Sequence, residues 1–545
     1  MKKILFGNTF LLLFLATSVF FSAQTPAWKW AVTTADQAND FAKDVATDAA
    51  GNVYLTGMFA SPTINFNGIT LTKNQGATFD IYVAKYNANG AVLWAKNFSA
   101  AGREESWGIA TDPSGNVYIT GIFTSASVTF GAFTLTNSAV NYDGVFVVKL
   151  DTDGNVLWAK KGIGSALDKE SNDIAVDTSG NVAIAGYTSF GTLNFEGASL
   201  NNASNGNLFV IKFDTNGNVL WSASQSATSQ NRADGIATDG AGNIYITGFY
   251  TKPVFGLPSK TDVTAFLAKY SSSGNFLWAA APDTARSYSF DVHATSTGKV
   301  LITGSFDEST ITFGEITLTN ATINGTSDTF ITQYDSEGNL EWAKSGAGAN
   351  IDRAYKIASD AMGSIYLTGF FESPTIKFGG ITITKPNNST QNCFLTKYNS
   401  TGNEMWALAI DKTNMGSSSP NGGLATDAFG NVLFAGHAFN NVKFGAQTFD
   451  KGGIFLSKLS DGVLAVDDAQ AEKLIIFPNP VKDAIHFSGK HSVSRITIFS
   501  ADGRMLREKL MNGEKELNVS DLKKGIYILN MLTENGIQQT KIIKN

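Results

Sequence analysis

Along most of this chain, apolar and polar residues alternate in runs of five to seven, and the runs recur. "VYLTGMF" begins at Val53, "VYITGIF" at Val117, "IYITGFY" at Ile244 and "IYLTGFF" at Ile365; looser copies begin at Val182, Val300 and Val432. A period of two is the pattern of a strand with one face buried. A turn phrase of the form D-x-x-G-N precedes nearly every copy, at Asp48, Asp112, Asp177, Asp239, Asp360 and Asp427, with Thr295 in the fifth place. Gly supplies a positive φ in such a turn, while Asp and Asn bond their own backbone. The phrase therefore predicts a tight hairpin leading into a strand.

A second strand phrase follows each first one, as in "IYVAKY" from Ile81, "VFVVKL" from Val145 and "IFLSKL" from Ile454. Tryptophans at 30, 94, 158, 221, 278, 342 and 406 recur about every 64 residues, three of them inside "LWA". One unit thus predicts four strands: a ("GIATD", from Gly108), b (from Asn116), c (from Val145) and d ("NVLWAK", from Asn155). Four antiparallel strands repeated seven times predict an all-β fold, a seven-bladed β-propeller. Trp30 lies in a d strand with no a, b or c before it, and the last unit has a, b and c but no Trp. The N-terminal strand is therefore expected to complete the last blade and remove the free edge. In such a meander the a–b and c–d turns share one face. The b–c links, most of about 20 residues and carrying phrases such as "VTFGAFTLT", share the other with the d–a links.

The period stops near Asp467. Beyond it, short alternating runs broken at "ADG", "KKG" and "ENG" predict a small β-sandwich. Charge changes there too: residues 467–545 hold 12 Lys and Arg against 10 Asp and Glu, although the whole chain has 41 against 47. A net charge of −6 argues against a nucleic-acid partner. At the other end, Lys2 and Lys3, the run "FLLLFLATSVFF" and a small-residue site before Gln24 predict a signal peptide over 1–23. That run is too short for a membrane span, and no longer one follows. The expected domains are 1–23, a propeller over 24–466 and a tail over 467–545.

The repeated phrases "D-x-x-G-N-V-Y-I-T-G" and "F-V-x-K-x-D-x-x-G-N-x-L-W" resemble the SBBP-type β-propeller repeat over residues 28–462; the fifth unit departs most, with Thr295 and Lys299 in place of Asp and Asn. That resemblance implies a propeller and no reaction. The C-terminal segment is similar to the type A sorting domain of type IX secretion substrates from Bacteroidetes-type bacteria. Pro478-Asn479-Pro480, Asp502-Gly503-Arg504, Gly525-Ile526-Tyr527 and the closing Lys541 to Lys544 carry the likeness. It implies the type IX machinery as partner, passage across the outer membrane and a mature protein that is secreted or held at the cell surface, usually with removal of the tail.

No H-E-x-x-H, G-x-S-x-G or phosphate-cradling loop occurs, so no catalytic, cofactor or metal residue is assigned. His293 and His437 fall on different units and read as strand residues. Cys393 occupies a slot held elsewhere by Ile81 and Leu208 and reads as a buried hydrophobe. "DTDGN" at Asp151 and "DTNGN" at Asp214 place Gly fourth, not sixth, so they read as hairpin turns and not as calcium loops. Charge collects in the d–a links: Arg103, Glu104, Asp168, Glu170, Arg232, Asp234, Arg286, Asp352 and Arg353. Loops on a rigid scaffold are where binding usually resides, so these are the candidate ligand residues of a secreted binding or adhesion protein for a glycan or protein. The alternative is an extracellular hydrolase or lyase acting on polysaccharide, which needs two carboxylates at workable separation.

Overall fold

The computed structural model describes residues 26–544 apart from short segments at 35–38, 138–141, 203–205, 226–230, 284–285, 323–325, 387–389, 411–421, 439–441, 461–474, 489–491, 501–504, 512 and 534–535. The expected signal peptide and the boundary at Asp467 lie outside the described residues.

Among the described residues there are strands and no helix, and seven four-stranded antiparallel units follow the a-b-c-d order. Sheet 1 contains Phe41–Thr47, Val53–Phe59, Asp80–Tyr86 and Val92–Phe98. Sheets 2 to 6 begin with the a strands Glu104–Thr111, Lys169–Val176, Arg232–Thr238, Ser287–Ala294 and Asp352–Ser359. Sheet 7 takes its first three strands from Leu424–Thr426, Asn431–Ala438 and Gly453–Ser460. Its fourth is Ala27–Thr33, which pairs antiparallel with the "IFLSKL" strand so that Trp30 faces Lys458 and Val32 faces Leu456. The chain's two ends of the repeat region therefore meet in one sheet. Each a strand packs against the a strand of the next sheet, and that of sheet 7 against Phe41–Thr47 of sheet 1. The architecture is all-β and propeller-like.

The repeated phrases are latches between and within these sheets. Asp112 Oδ1 accepts the backbone N–H groups of Ser114 and Asn116, both at 2.9 Å, while its Oδ2 accepts the Asn116 amide and the Tyr118 hydroxyl. Tyr118 also reaches the Gly180 carbonyl of the next sheet. The indole N–H of Trp94 donates to the Thr152 carbonyl in the next sheet's c–d turn, and Trp30, Trp158, Trp221 and Trp278 repeat the bond. The turn glycine must be bare: at Gly274, with φ +88°, a Cβ would lie 2.7 Å from the Trp221 ring. The c-strand lysines are buried beside the same aspartates, as Lys212 Nζ is 2.9 Å from Asp177 Oδ2.

The b–c links hold more structure than the strand pattern announces. In six of the seven units the link contains a two-stranded hairpin, such as Thr63–Phe66 with Ile69–Thr72 and Ser127–Phe130 with Phe133–Thr136. Ile64 and Phe66 are fully buried in the sheet core. The hairpin Thr375–Phe378/Ile381–Thr384 pairs with the outer strand of sheet 5, so it covers an edge that would otherwise template another chain. Much of the length expected to be free for binding is thus committed to packing.

The C-terminal segment forms a three-stranded sheet (Ile475–Phe477, Ala484–Ser488, Glu516–Asn518) and a four-stranded sheet (Val493–Ser500, Met505–Leu510, Gly525–Thr533, Gly536–Lys544). One apolar cluster, including Ile485, Phe487, Ile496, Leu529 and Met531, draws from both. Asn479 latches its turn to the last strand, donating to the Lys541 carbonyl and accepting from Ile543 N–H, both at 2.8 Å. Tyr527 is buried in that cluster and bonds the Lys523 carbonyl, while Gly525 starts the strand that pairs with Lys544.

Candidate functional site at the mouth of the central channel

Each a strand of sheets 1 to 6 carries a β-bulge at one place. The register against strand b skips a residue at Lys43, Trp107, Asn172, Asp234, Phe290 and Tyr355. A bulge re-aims two consecutive side chains that strict alternation would send to opposite faces. All six bulged residues line one cavity of about 500 Å³ at the d–a end of the a strands, with Phe249, Tyr288, Arg232, Arg286, Arg353, Asp307 and Lys356. The cavity therefore lies on the face of the b–c and d–a links.

The residue after each bulge forms the floor. From sheet 1 to sheet 6 it is Asp44, Gly108, Asp173, Gly235, Asp291 and Lys356, and in sheet 7, whose a strand has no bulge, Gly423 stands beside Val45 of sheet 1. Asp44 accepts Val45 N–H at 2.9 Å with one oxygen and Ile109 N–H of the next sheet at 3.0 Å with the other. Asp173 and Asp291 repeat this toward Ile236 and Ile357. The intervening glycines allow the sheets to close up: a Cβ on Gly108 would stand 3.1 Å from Ile174 N. Alternation of Asp and Gly cannot close around an odd number, and at the break stands Lys356, with Nζ 3.7 Å from Asp44 Oδ1. Burial raises the carboxyls, Asp173 up to about 7, Asp291 up to about 6 and Asp44 also upward, because the lysine offsets only part of the desolvation. Burial works against the Lys356 charge, but the three carboxylates outweigh it and hold the ammonium above the ordinary lysine range.

Above this floor the walls differ around the ring. On sheets 4 to 6 five aromatic rings follow one another: Phe249 to Tyr288 at 5.4 Å, Tyr288 to Phe290 at 6.3 Å and nearly coplanar in orientation, Phe290 to Tyr355 at 4.7 Å, and Tyr355 to Phe370 at 5.8 Å. Opposite them, the Lys43 ammonium sits 4.0 Å from the Trp107 ring centroid. Burial pushes Lys43 down to about 8, with Glu105 opposing.

The charged candidates separate into two groups. Arg232, Asp234, Arg286 and Arg353 line the cavity. Arg232 is engaged by Asp234, by Glu170 at 3.7 Å and by the Tyr187 ring at 4.9 Å. Arg286 is half-exposed and 3.5 Å from Asp307. Among the described residues Arg353 and Lys43 have no carboxylate within ion-pair distance, and Arg353 Nε is buried without a partner. Trp107 Nε1 and Asn172 Oδ1 are likewise buried and unpartnered. The remaining candidates lie outside the cavity wall. Arg103 grips Glu105 at 2.7 and 2.9 Å. Glu104 and Asp352 are fully buried and hold Ser125 and Ser373 at the start of the b–c links, and Asp168 meets Ser189 through its backbone. Sequence reasoning missed Lys43, Trp107, Asn172, Phe249, Tyr288, Phe290, Asp307, Tyr355 and Lys356. For the bulge residues among them the signal was disagreement among the copies between a preceding Ala or Ser and an Ile or Val two residues on that do repeat.

The remaining sequence candidates sit apart from the cavity. Asp151 and Asp214 serve their own turns, bonding Asn155 and Asn218. His293 bonds Ser359 at 2.9 Å, and His437 packs edge-on against Phe41. Cys393 is fully buried, and burial pushes its thiol up. Among the described residues no group of three or more His, Cys, Asp or Glu is arranged to hold a metal ion. No described helix is long and apolar enough to cross a membrane.

Comparison with known proteins adds an address. The chain is 25% identical over 417 residues to an uncharacterized WD repeat-containing protein, L264, of Acanthamoeba polyphaga mimivirus, covering 62% of this chain and 30% of that protein. It therefore spans less than a third of that relative's length. A solved protein of unknown function from Dyadobacter fermentans aligns over 80% of this chain and 99% of its own, at 10% identity and TM-score 0.37. A structure described as YCF48 bound to D1 peptide aligns over 81% and 99%, at 9% identity and the same TM-score. Residues 475–545 match the family described as the secretion system C-terminal sorting domain. That tail is the part read by the type IX secretion machinery, and it marks the protein for export to the cell surface or release outside the cell.

Proposed function

We propose that this is a secreted or surface-held binding protein, a seven-bladed propeller of SBBP-type repeats over residues 24–466, exported with a signal peptide and a β-sandwich sorting tail. It captures an extracellular glycan or protein at the channel mouth. The observation that carries this reading is the divergence at the bulge. Six copies of one repeated strand place six different side chains, Lys43, Trp107, Asn172, Asp234, Phe290 and Tyr355, on one cavity of about 500 Å³, a volume that suits a small ligand or a chain end.

The geometry favours binding over hydrolysis. Glu170 and Asp234 both face Arg232, and Asp352 is committed to Ser373. These three carboxylates are therefore engaged in structure and do not form the pair a hydrolase needs.

The test is a glycan and protein array probed with the full chain, its Phe290→Ala/Tyr355→Ala variant and an Asp151→Ala/Asp214→Ala variant. Loss of capture in the first variant alone is expected. Capture that survives it, or that vanishes only in the second, would move the site off the channel mouth. Cleavage of an arrayed polysaccharide would replace the binding reading with an enzymatic one.

A further inference from the structure

The cavity wall has a definite chemistry. One arc is a run of aromatic rings, and Tyr288 and Phe290 lie only 6° from parallel. Flat aromatic surfaces of this kind suit the apolar faces of pyranose rings, and the phenol of Tyr355 adds a polar handle. Cations line the same cavity. Arg232 and Arg286 are matched by Asp234, Glu170 and Asp307. Arg353 and Lys43 have no carboxylate within ion-pair distance among the described residues: Arg353 interacts with the Tyr355 phenol and keeps a buried Nε without an acceptor, and Lys43 lies over the Trp107 ring. A guanidinium without a carboxylate partner is a natural donor to a carboxylate or sulfate oxygen. The two flank sheet 7, which contributes only Gly422 and Gly423 at these levels. Those glycines are enforced by packing, since a Cβ would lie 1.7 Å from the Ala435 carbonyl or 2.2 Å from Val45 N. Among the described residues, sheet 7 therefore adds no side chain to the wall between the two cations.

The floor limits what enters. Lys356, 3.7 Å from Asp44 and attracted also by Asp173 and Asp291, forms a charged floor beneath the bulges, which suits a polymer end entering from the mouth better than a chain threading through. A peptide added as a strand needs a straight unpaired edge, and the bulge interrupts each a strand at this level. We propose, resting on the binding reading above, that the cavity takes the terminal residues of an anionic glycan. Its carboxylate or sulfate meets Arg353 and Lys43, and its sugar rings lie on Tyr288, Phe290 and Tyr355.

The experiment is calorimetric titration of the full chain with four probes: a galacturonate hexamer, a carrageenan hexasaccharide, cellohexaose and hexaglutamate. One of the two acidic hexasaccharides is expected to bind at least tenfold more tightly than cellohexaose, and which one it is separates carboxylate from sulfate. Its affinity should fall as salt rises. Arg353→Ala should lose about tenfold or more for that probe, with Arg353→Lys intermediate. Tyr355→Ala should weaken it as well, while Tyr355→Phe, the variant safest for folding, should retain most of the affinity. Cellohexaose binding equally well would overturn the anionic assignment, and hexaglutamate binding equally well would overturn the glycan. Binding of neither acidic sugar would also sink the proposal. If arrayed ligands prove neutral yet are lost with Phe290→Ala/Tyr355→Ala, this inference falls and the binding site stands.

Discussion

At the a–b turn, six of seven copies carry Asp, and each aspartate closes its own hairpin, as Asp48, Asp112, Asp177, Asp239, Asp360 and Asp427 show. At the bulge on the other side of the same strand, Lys, Trp, Asn, Asp, Phe and Tyr occupy the corresponding place. The two regions are a few residues apart in every repeat and obey opposite rules. Where a side chain serves its own backbone, geometry dictates its identity and the copies agree. Where it faces the cavity, its partners are other bulge and wall side chains and not its own backbone, so the copies are free to differ. Divergence within a repeat protein thus marks the surface available for recognition, and uniformity marks the frame.

The comparison breaks most visibly at the cavity floor, where a divergent residue is also structural. Lys356→Met leaves Asp44, Asp173 and Asp291 around a neutral side chain. A loss of about 3 kcal/mol or more is expected in denaturant unfolding, because a buried charge cluster loses its counterion. Asp44→Asn added to it should recover part of that loss. A smaller effect follows from Asp112→Ala on the turn face, which strips caps from Ser114 and Asn116 and a partner from Tyr118. About 2 kcal/mol is expected, measured in the same way.

Acidity sharpens the contrast next. Burial raises Asp173 and Asp352 to about 7 and Asp291 and Asp328 to about 6, with a smaller upward push from neighbouring carboxylates for all but Asp328. Their folded values stand above the unfolded 3.8, so the protonated forms favour the fold. That contribution is complete below the unfolded value and is lost as pH rises through about 6 to 7. His293, pushed down to about 4 by burial, works the other way once pH falls below 6.5. Tm should therefore rise on the order of 5 °C from about pH 7.5 to about pH 6 and go on rising toward about pH 4, with His293 offsetting part of the slope below 6.5. Asp352→Asn should reduce the rise, whereas Asp214→Asn on the turn face should leave it unchanged. The smallest effect belongs to Arg286→Ala: half-exposed and loosely paired, it should change stability by less than about 0.5 kcal/mol while altering ligand capture.

The frame was legible in the sequence because its chemistry is local and repeated. The D-x-x-G-N turns, the Trp of each outer strand and the placement of Trp30 in the last sheet all follow from phrases that span a dozen residues. The hairpins inside the b–c links were hidden because runs such as "VTF" and "FTLT" are too short to announce strands by alternation alone. The bulges were hidden for a different reason. A period of two assigns Lys43 and Asp44 to opposite faces, and only the extra residue in the register turns both toward the channel. Charge drew attention to Arg232, Asp234, Arg286 and Arg353, which do line the cavity. It also drew attention to Glu104 and Asp352, whose burial beside Ser125 and Ser373 depends on contacts 21 residues away.

The location of the site is the claim on which the rest depends, and amide hydrogen exchange of the full chain with and without a captured ligand tests it most directly. Protection is predicted at the d–a ends of Ser287–Ala294 and Asp352–Ser359, around Tyr288, Phe290 and Tyr355, with the a–b turns at Asp112, Asp177 and Asp239 unchanged. Protection confined to those turns, with no change around Phe290 and Tyr355, would contradict it.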